Sequence, residues 1–168
     1  MEKKPWHFEK MEDLRDEAAN YAGWSTGHNY FFHEVLFCTS PPRFELPPDK
    51  FPEHWGEYSA NMVGILGATT FVKNLRRVKQ VVEEARRAGQ RVVNILCLCR
   101  KGRHRSVSTA RLVAYALEGK GYNLKCTEHI CAVSWGNFLC RSCDSCTSTC
   151  SLKEAIYEGA NQIWDALR

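Results

Sequence analysis

The feature that most constrains this chain is an apolar run that stops in a burst of positive charge. Residues 91–99 (RVVNILCLC) are nearly continuous in apolar side chains, and Arg100 to Arg105 (RKGRHR) follow at once. A short apolar run bounded by breakers fits a strand buried on both faces, as in a parallel sheet. The flanks carry helical periodicity. Phe71, Leu75, Val78, Val82 and Ala85 recur in steps of four and three, one face of a helix that Gly89 ends. Beyond the basic loop, Val107, Ala110, Ala114 and Leu117 mark a second helix closed by Gly119 and Gly121, and Tyr122 to Val133 reads as a further strand. This order of helix, strand, loop, helix and strand predicts a layered α/β fold.

At 168 residues the chain suits a single domain, 1–168. Within it the expected parts are an α/β core over 24–133, a Cys-rich element over 134–151 and a last helix over 152–168. Upstream, Glu9 to Ala22 reads as a helix and Tyr30 to Cys38 as a strand. Pro41, Pro42, Pro47, Pro48 and Pro52 force a loop after it. At the other end, Ser151 and Glu154 are spaced as a capping box, and Leu152, Ile156, Ile163, Trp164 and Leu167 give the last helix an apolar face. That face either packs on the domain or docks a protein partner. No apolar run approaches the roughly 18–20 residues of a membrane helix, and the N-terminal residues have no signal-like stretch. A cytoplasmic protein without a membrane partner is the expectation.

The net charge of +4 is unevenly spread. Of 23 Lys and Arg residues, eight lie between Ala85 and Leu117, where there is no acid; the other 15 are outnumbered by 19 Asp and Glu. Arg76, Arg77, Arg86 and Arg87 read equally as a solvated helix face. The loop is different. It sits between a strand and a helix start, where unsatisfied backbone N–H groups and the positive end of the helix dipole converge. Gly102 allows a tight turn, and Arg105 offers a planar fork to phosphate oxygens. Arg100, Lys101, Gly102, Arg103, His104, Arg105 and Ser106 are therefore the candidate anion-binding residues, with Ser106 expected to cap the helix. The strand, phosphate loop and helix form the predicted functional unit.

Cys99-x5-Arg105-Ser106, with Gly three residues after the Cys, also resembles the signature loop of protein tyrosine phosphatases. That resemblance implies Cys99 as nucleophile, Arg105 as clamp on the transferred phosphoryl group, and a hydroxyl supporting the thiolate. Two features depart from it. Leu98 stands where those enzymes have His, and there is no Asp between Asp49 and Asp144 to act as general acid. Asp49, Asp144 or Glu57 would have to be delivered by the fold.

Residues 92–129 (VVNILCLCRKGRHRSVSTARLVAYALEGKGYNLKCTEH) resemble more closely the RapZ C-terminal domain family. Cys99, Gly102, His104, Arg105, Ser106 and Val107 keep the places of that family's Gly-Cys-Thr-Gly-Gly-Lys-His-Arg-Ser-Val loop, and Arg103 replaces a Lys. His129 corresponds to a later strand His and joins the candidate anion ligands. The resemblance implies binding of structured RNA or of a phosphorylated metabolite such as glucosamine-6-phosphate. It implies no NTPase activity, because the chain has no Walker motif. A loop that binds a phosphometabolite or an RNA backbone is the first reading, a Cys-dependent phosphatase the second, and a metal-stapled interaction module the third.

Four of the nine cysteines crowd into eleven residues as Cys140-x2-Cys143-x2-Cys146-x3-Cys150. Without an export signal this spacing points to metal rather than a disulfide framework. Zinc is the expected occupant, with a structural role. An iron–sulfur cluster fits less well, because Ser151 rather than Pro follows the last Cys. Cys131 or His129 are possible substitute ligands, and free thiols remain the alternative. Cys38 and Cys97 read as small core residues. Trp6, Trp24, Trp55 and Trp135 read as core fillers before base-stacking groups.

Overall fold

The computed structural model describes residues 31–38, 54, 56–99, 104–125, 146 and 150–168. Among them the chain runs β1 (Glu34–Phe37), α1 (Ser59–Leu66), α2 (Thr69–Arg87), β2 (Ile95–Leu98), α3 (Arg105–Glu118) and α4 (Ser151–Ala166). The two strands pair in parallel, with Glu34 opposite Ile95 and Phe37 opposite Leu98, and α1 and α2 form the crossover between them. This is the mixed α/β fold that the alternation of helix and strand periodicity predicts. The helix expected over 9–22, the Pro-rich loop and most of the strand expected over 122–133 lie outside the described residues. So does most of the Cys-rich element.

The long helices follow their apolar stripes. In α2 all five predicted core positions are buried, joined by Val81. Its end is chemically specified: Gly89 takes a left-handed φ of 72°, its N–H bonds the Arg86 carbonyl and the Gln90 N–H bonds Ala85. This double closure satisfies carbonyls the helix would otherwise leave open. Gly121, at φ 81°, closes α3 in the same way through Tyr122 N–H to Leu117.

Four expectations shift. β2 is shorter than residues 91–99 and only partly buried, because β1 offers partners only as far down as the His33–Asn94 contact; Val92, beyond it, is exposed. The buried face of α3 is not the Ala110–Ala114 line. It runs through Ser106, Val107, Ser108, Thr109, Leu112, Val113, Ala116 and Leu117, where small side chains let α1 and α4 approach closely. The helix α1 has no counterpart in the sequence reading: it spans eight residues, starts without a side-chain cap and buries only Asn61, Met62 and Ile65. Finally, α4 begins at Ser151 with Cys150 as its cap residue. The Cys150 carbonyl accepts the Glu154 N–H at 3.0 Å, and no Ser151–Glu154 capping box forms.

The stripe of α4 also turns. Lys153, Ile156, Ala160, Trp164 and Leu167 are buried, while Leu152 is exposed. The apolar face therefore serves the domain's own core, where Trp164 and Leu167 meet residues of α2 and α3. Lys79 on α2 reinforces that end, its ammonium donating to the Leu167 carbonyl at 2.8 Å.

Leu112, fully buried where α3 joins the core, tests this arrangement. Leu112→Ala is expected to lower unfolding free energy by about 2–5 kcal/mol, and Gly89→Ala by about 1–2 kcal/mol through its left-handed conformation. Urea unfolding of both variants against wild type measures the difference.

Candidate anion-binding site

Parallel pairing puts the carboxyl ends of both strands on one edge of the sheet, the edge at which ligands of open α/β folds are held. Cys38 leaves β1 there and its N–H bonds the Leu98 carbonyl at 2.8 Å; Cys99 leaves β2 at the same level. Paired residues share a face, so Leu36, Cys38, Cys97 and Cys99 point the same way, toward the core. Cys38 is buried and Cys97 partly buried, as their reading as core residues requires. A hydrogen bond with the Cys38 side chain, then burial, raises the Cys97 thiol well above its ordinary range.

The helix α3 begins at this edge. Arg105 is its first residue, and no side-chain hydrogen bond caps it at His104. The first-turn N–H groups and the positive end of the helix dipole are thus presented beside the strand ends. The Arg105 guanidinium donates to the Cys38 carbonyl, just past the end of β1, at 3.3 Å. Ser106 is buried and does not cap the helix as the sequence suggested. It lies two residues past the cap position, and its hydroxyl shares a hydrogen bond of 3.2 Å with the Cys99 thiol. Cys99 and Ser106 are thus in contact, with His104 and Arg105 adjoining them at the start of α3. Arg100, Lys101, Gly102, Arg103 and His129 lie outside the described residues.

Two contacts that sequence reasoning missed hold the helix start in place. Ser108, wholly buried, donates to the Gly56 carbonyl at 2.6 Å and lies 3.2 Å from the His104 carbonyl. Gly56 approaches so closely that a Cβ there would lie 2.2 Å from the His104 carbonyl oxygen and 2.5 Å from the Val107 Cβ. Nothing in the local sequence distinguishes this glycine from an ordinary turn residue. Its neighbour Glu57 accepts from Arg111 one turn further along α3.

The basic segment is divided by the fold. Arg86, Arg87 and Arg91 are exposed ahead of the amino end of β2. Arg77 pairs with the buried Glu34 at 2.6 Å, and Arg111 pairs with Glu57. Arg105 is the described cation at the strand ends. A separate open cleft of about 320 Å³ is lined by residues including Arg111, Tyr115, Lys125 and Tyr157, and none of Cys99, His104, Arg105 or Ser106 borders it. There burial, then the nearby Glu57, raises the Tyr157 hydroxyl's pKa.

Of the predicted metal ligands, Cys146 is wholly buried and Cys150 is exposed at the cap of α4. Cys131, Cys140 and Cys143 lie outside the described residues. Among the described residues no group of three or more His, Cys, Asp or Glu side chains is gathered for a metal.

An α/β domain with two parallel strand ends and an uncapped helix start at one sheet edge is the class of protein these features define. Residues 62–131 match the family model of the RapZ C-terminal domain, bearing out the resemblance carried by residues 92–129. The match begins inside α1 and takes in α2, β2, the loop and α3, less than half of the chain. No curated protein and no solved structure matches it. Among the described residues no helix is long and apolar enough to cross a membrane.

Gly56→Ala is expected to lower unfolding free energy by about 1–3 kcal/mol, because the backbone atoms it meets cannot swing aside. Ser108→Ala is expected to remove about 1–3 kcal/mol by leaving a buried carbonyl unsatisfied. Both are read from denaturant melts. The Cys97 thiol gives a pH signature. Above about pH 8.5 the thiol of an unfolded chain ionises while the folded, raised one does not, so the contribution present below that pH is lost as pH rises. Between pH 8 and 10 the wild-type melting temperature should therefore fall more steeply than that of Cys97→Ala.

Proposed function

We propose that this domain binds a phosphate-bearing ligand at the carboxyl ends of β1 and β2, with the phosphoryl group seated on the start of α3. The observation that carries the reading is the convergence of the Arg105 guanidinium, the uncapped first turn of α3 and the two strand ends at one edge. Backbone N–H groups and a planar five-donor fork suit a tetrahedral oxyanion and have no equal use for a neutral or cationic ligand. The RapZ C-terminal family relationship supports a nucleotide- or phosphoryl-related binding role. Arg100, Lys101, Arg103 and His104 add donors in this reading, with His129 as a further candidate, and Gly102 lets the backbone close on the anion.

Between the two ligand sources, a compact phosphometabolite is favoured over an RNA backbone. An extended polyanion needs a continuous basic track, whereas Arg86, Arg87 and Arg91 stand at the opposite end of the sheet and Arg77 and Arg111 already have carboxylate partners.

The Cys99–Ser106 hydrogen bond favours a second reading, a Cys-dependent phosphatase. A hydroxyl on the sulfur is the support a thiolate nucleophile needs, and Arg105 would hold the equatorial oxygens. The reading lacks a general acid among the described residues, since the Glu57 carboxylate already accepts from Arg111. Hydrolysis without one is slower by roughly 10²–10⁴.

Calorimetric titration of the reduced protein with a sugar phosphate and with a structured RNA separates these readings. Arg105→Ala is expected to weaken phosphate binding by roughly 10- to 100-fold, and Cys99→Ser to leave it nearly unchanged. A shallow loss of affinity with salt identifies the metabolite, and a steep one the polyanion. Aryl phosphate hydrolysis that vanishes in Cys99→Ser establishes the phosphatase instead. Wild-type indifference to every anion refutes the site.

A further inference from the structure

Away from the strand ends, the structure brings together two side chains that are 92 residues apart. The Sγ of Cys146 lies 3.5 Å from the Nδ1 of His54. Cys146 has no exposed surface, and the His54 ring is held by stacking on Tyr58, with centroids 4.4 Å apart and planes 14° from parallel. A tetrahedral zinc ion holds sulfur at about 2.3 Å and nitrogen at about 2.0 Å, which sets two such ligands about 3.5 Å apart. The observed separation equals the sulfur–nitrogen edge of such a tetrahedron, and it is equally the length of a thiol–imidazole hydrogen bond.

A second observation concerns charge. Lys153 is 5% exposed, and its ammonium donates to the backbone carbonyl of Cys146. Among the described residues no carboxylate pairs with it. A buried ammonium calls for compensating negative charge. Zinc with three thiolates and a neutral histidine carries a net charge of about −1 and supplies it.

We propose that His54 and Cys146 are ligands of one structural zinc ion. The other two positions fall to Cys140 and Cys143, which share the Cys-x2-Cys spacing with Cys146. Cys150, exposed at the cap of α4, stands outside the set. Each bound thiol gives its proton to solvent and the histidine coordinates in its neutral form, so no redox partner is required. The centre is a Cys3His site rather than the four-cysteine knot that spacing alone suggests, and it staples the segment entering α1 to the segment entering α4. It stands independently of the phosphate reading: either can fail while the other holds.

The test uses the full-length protein, purified reduced and without chelator. Elemental analysis should find about one zinc per chain, and cobalt substitution should give tetrahedral d–d bands with thiolate-to-metal charge transfer. His54→Ala and Cys146→Ser should each bind zinc roughly 100-fold or more weakly, while Cys150→Ser keeps wild-type content and affinity. If His54→Ala does not fold, the cobalt spectrum of His54→Cys decides. A stronger, shifted thiolate band places residue 54 on the metal, and an unchanged spectrum removes it. A wild-type protein that takes up no zinc, a His54→Ala variant that binds it normally, or a Cys150→Ser variant that loses it overturns the proposed ligand set.

Discussion

The parallel pairing of β1 with β2 is the interaction on which the rest of this structure depends. It sets Cys38 and Cys99 side by side, fixes the edge from which the basic loop leaves, and aims the start of α3 at the two strand ends. The pair is only four residues long in each strand, so its backbone ladder alone is a weak constraint. Its persistence rests on packing. The long crossover helix α2 buries one full stripe beneath it, and a buried carboxylate, Glu34, is held by Arg77 across the same interface.

The precision of the site comes from a different source, the close fit of Gly56 against the first turn of α3. A helix start whose side-chain cap is missing is free to fray. Here the Ser108 hydroxyl ties that turn to the Gly56 carbonyl, and the absence of a Cβ at residue 56 lets the two backbones meet. The helix is anchored from within its buried face. The Arg105 side chain is likewise steadied by a backbone carbonyl, that of Cys38, and among the described residues no carboxylate pairs with it.

What could be read from the sequence divides along physical lines. The five apolar positions of α2 and the breakers Gly89 and Gly121 are local patterns, and each has the structural meaning it suggests. The contact of Cys99 with Ser106, beside His104 and Arg105, is local too, and was legible for that reason. The Ser106–Cys99 bond reverses the expected capping role because helix registry, which a motif does not specify, makes Ser106 the second residue of the helix, two past the cap position at His104. The buried polar stripe of α3 looks solvent-facing by composition and is buried because small side chains are needed where α1 and α4 press on it. Gly56 and His54 derive their importance from partners tens of residues away, and no periodicity or propensity encodes that. The short helix α1, with two large apolar residues and no cap, falls below what pattern alone can detect.

The pairing also has a consequence for how the chain reaches this state. Glu34 and Ile95 lie 61 residues apart, so their pairing closes a loop that contains two helices. Closing so long a loop for so few ladder bonds is an entropically late event, the kind that slows folding in topologies dominated by distant contacts. Helices α2 and α3 can form and collapse early, on local information. The edge that gathers Cys38, Cys99 and Arg105 exists only once the last long-range contact has closed, so a partly folded chain has the helices without the site.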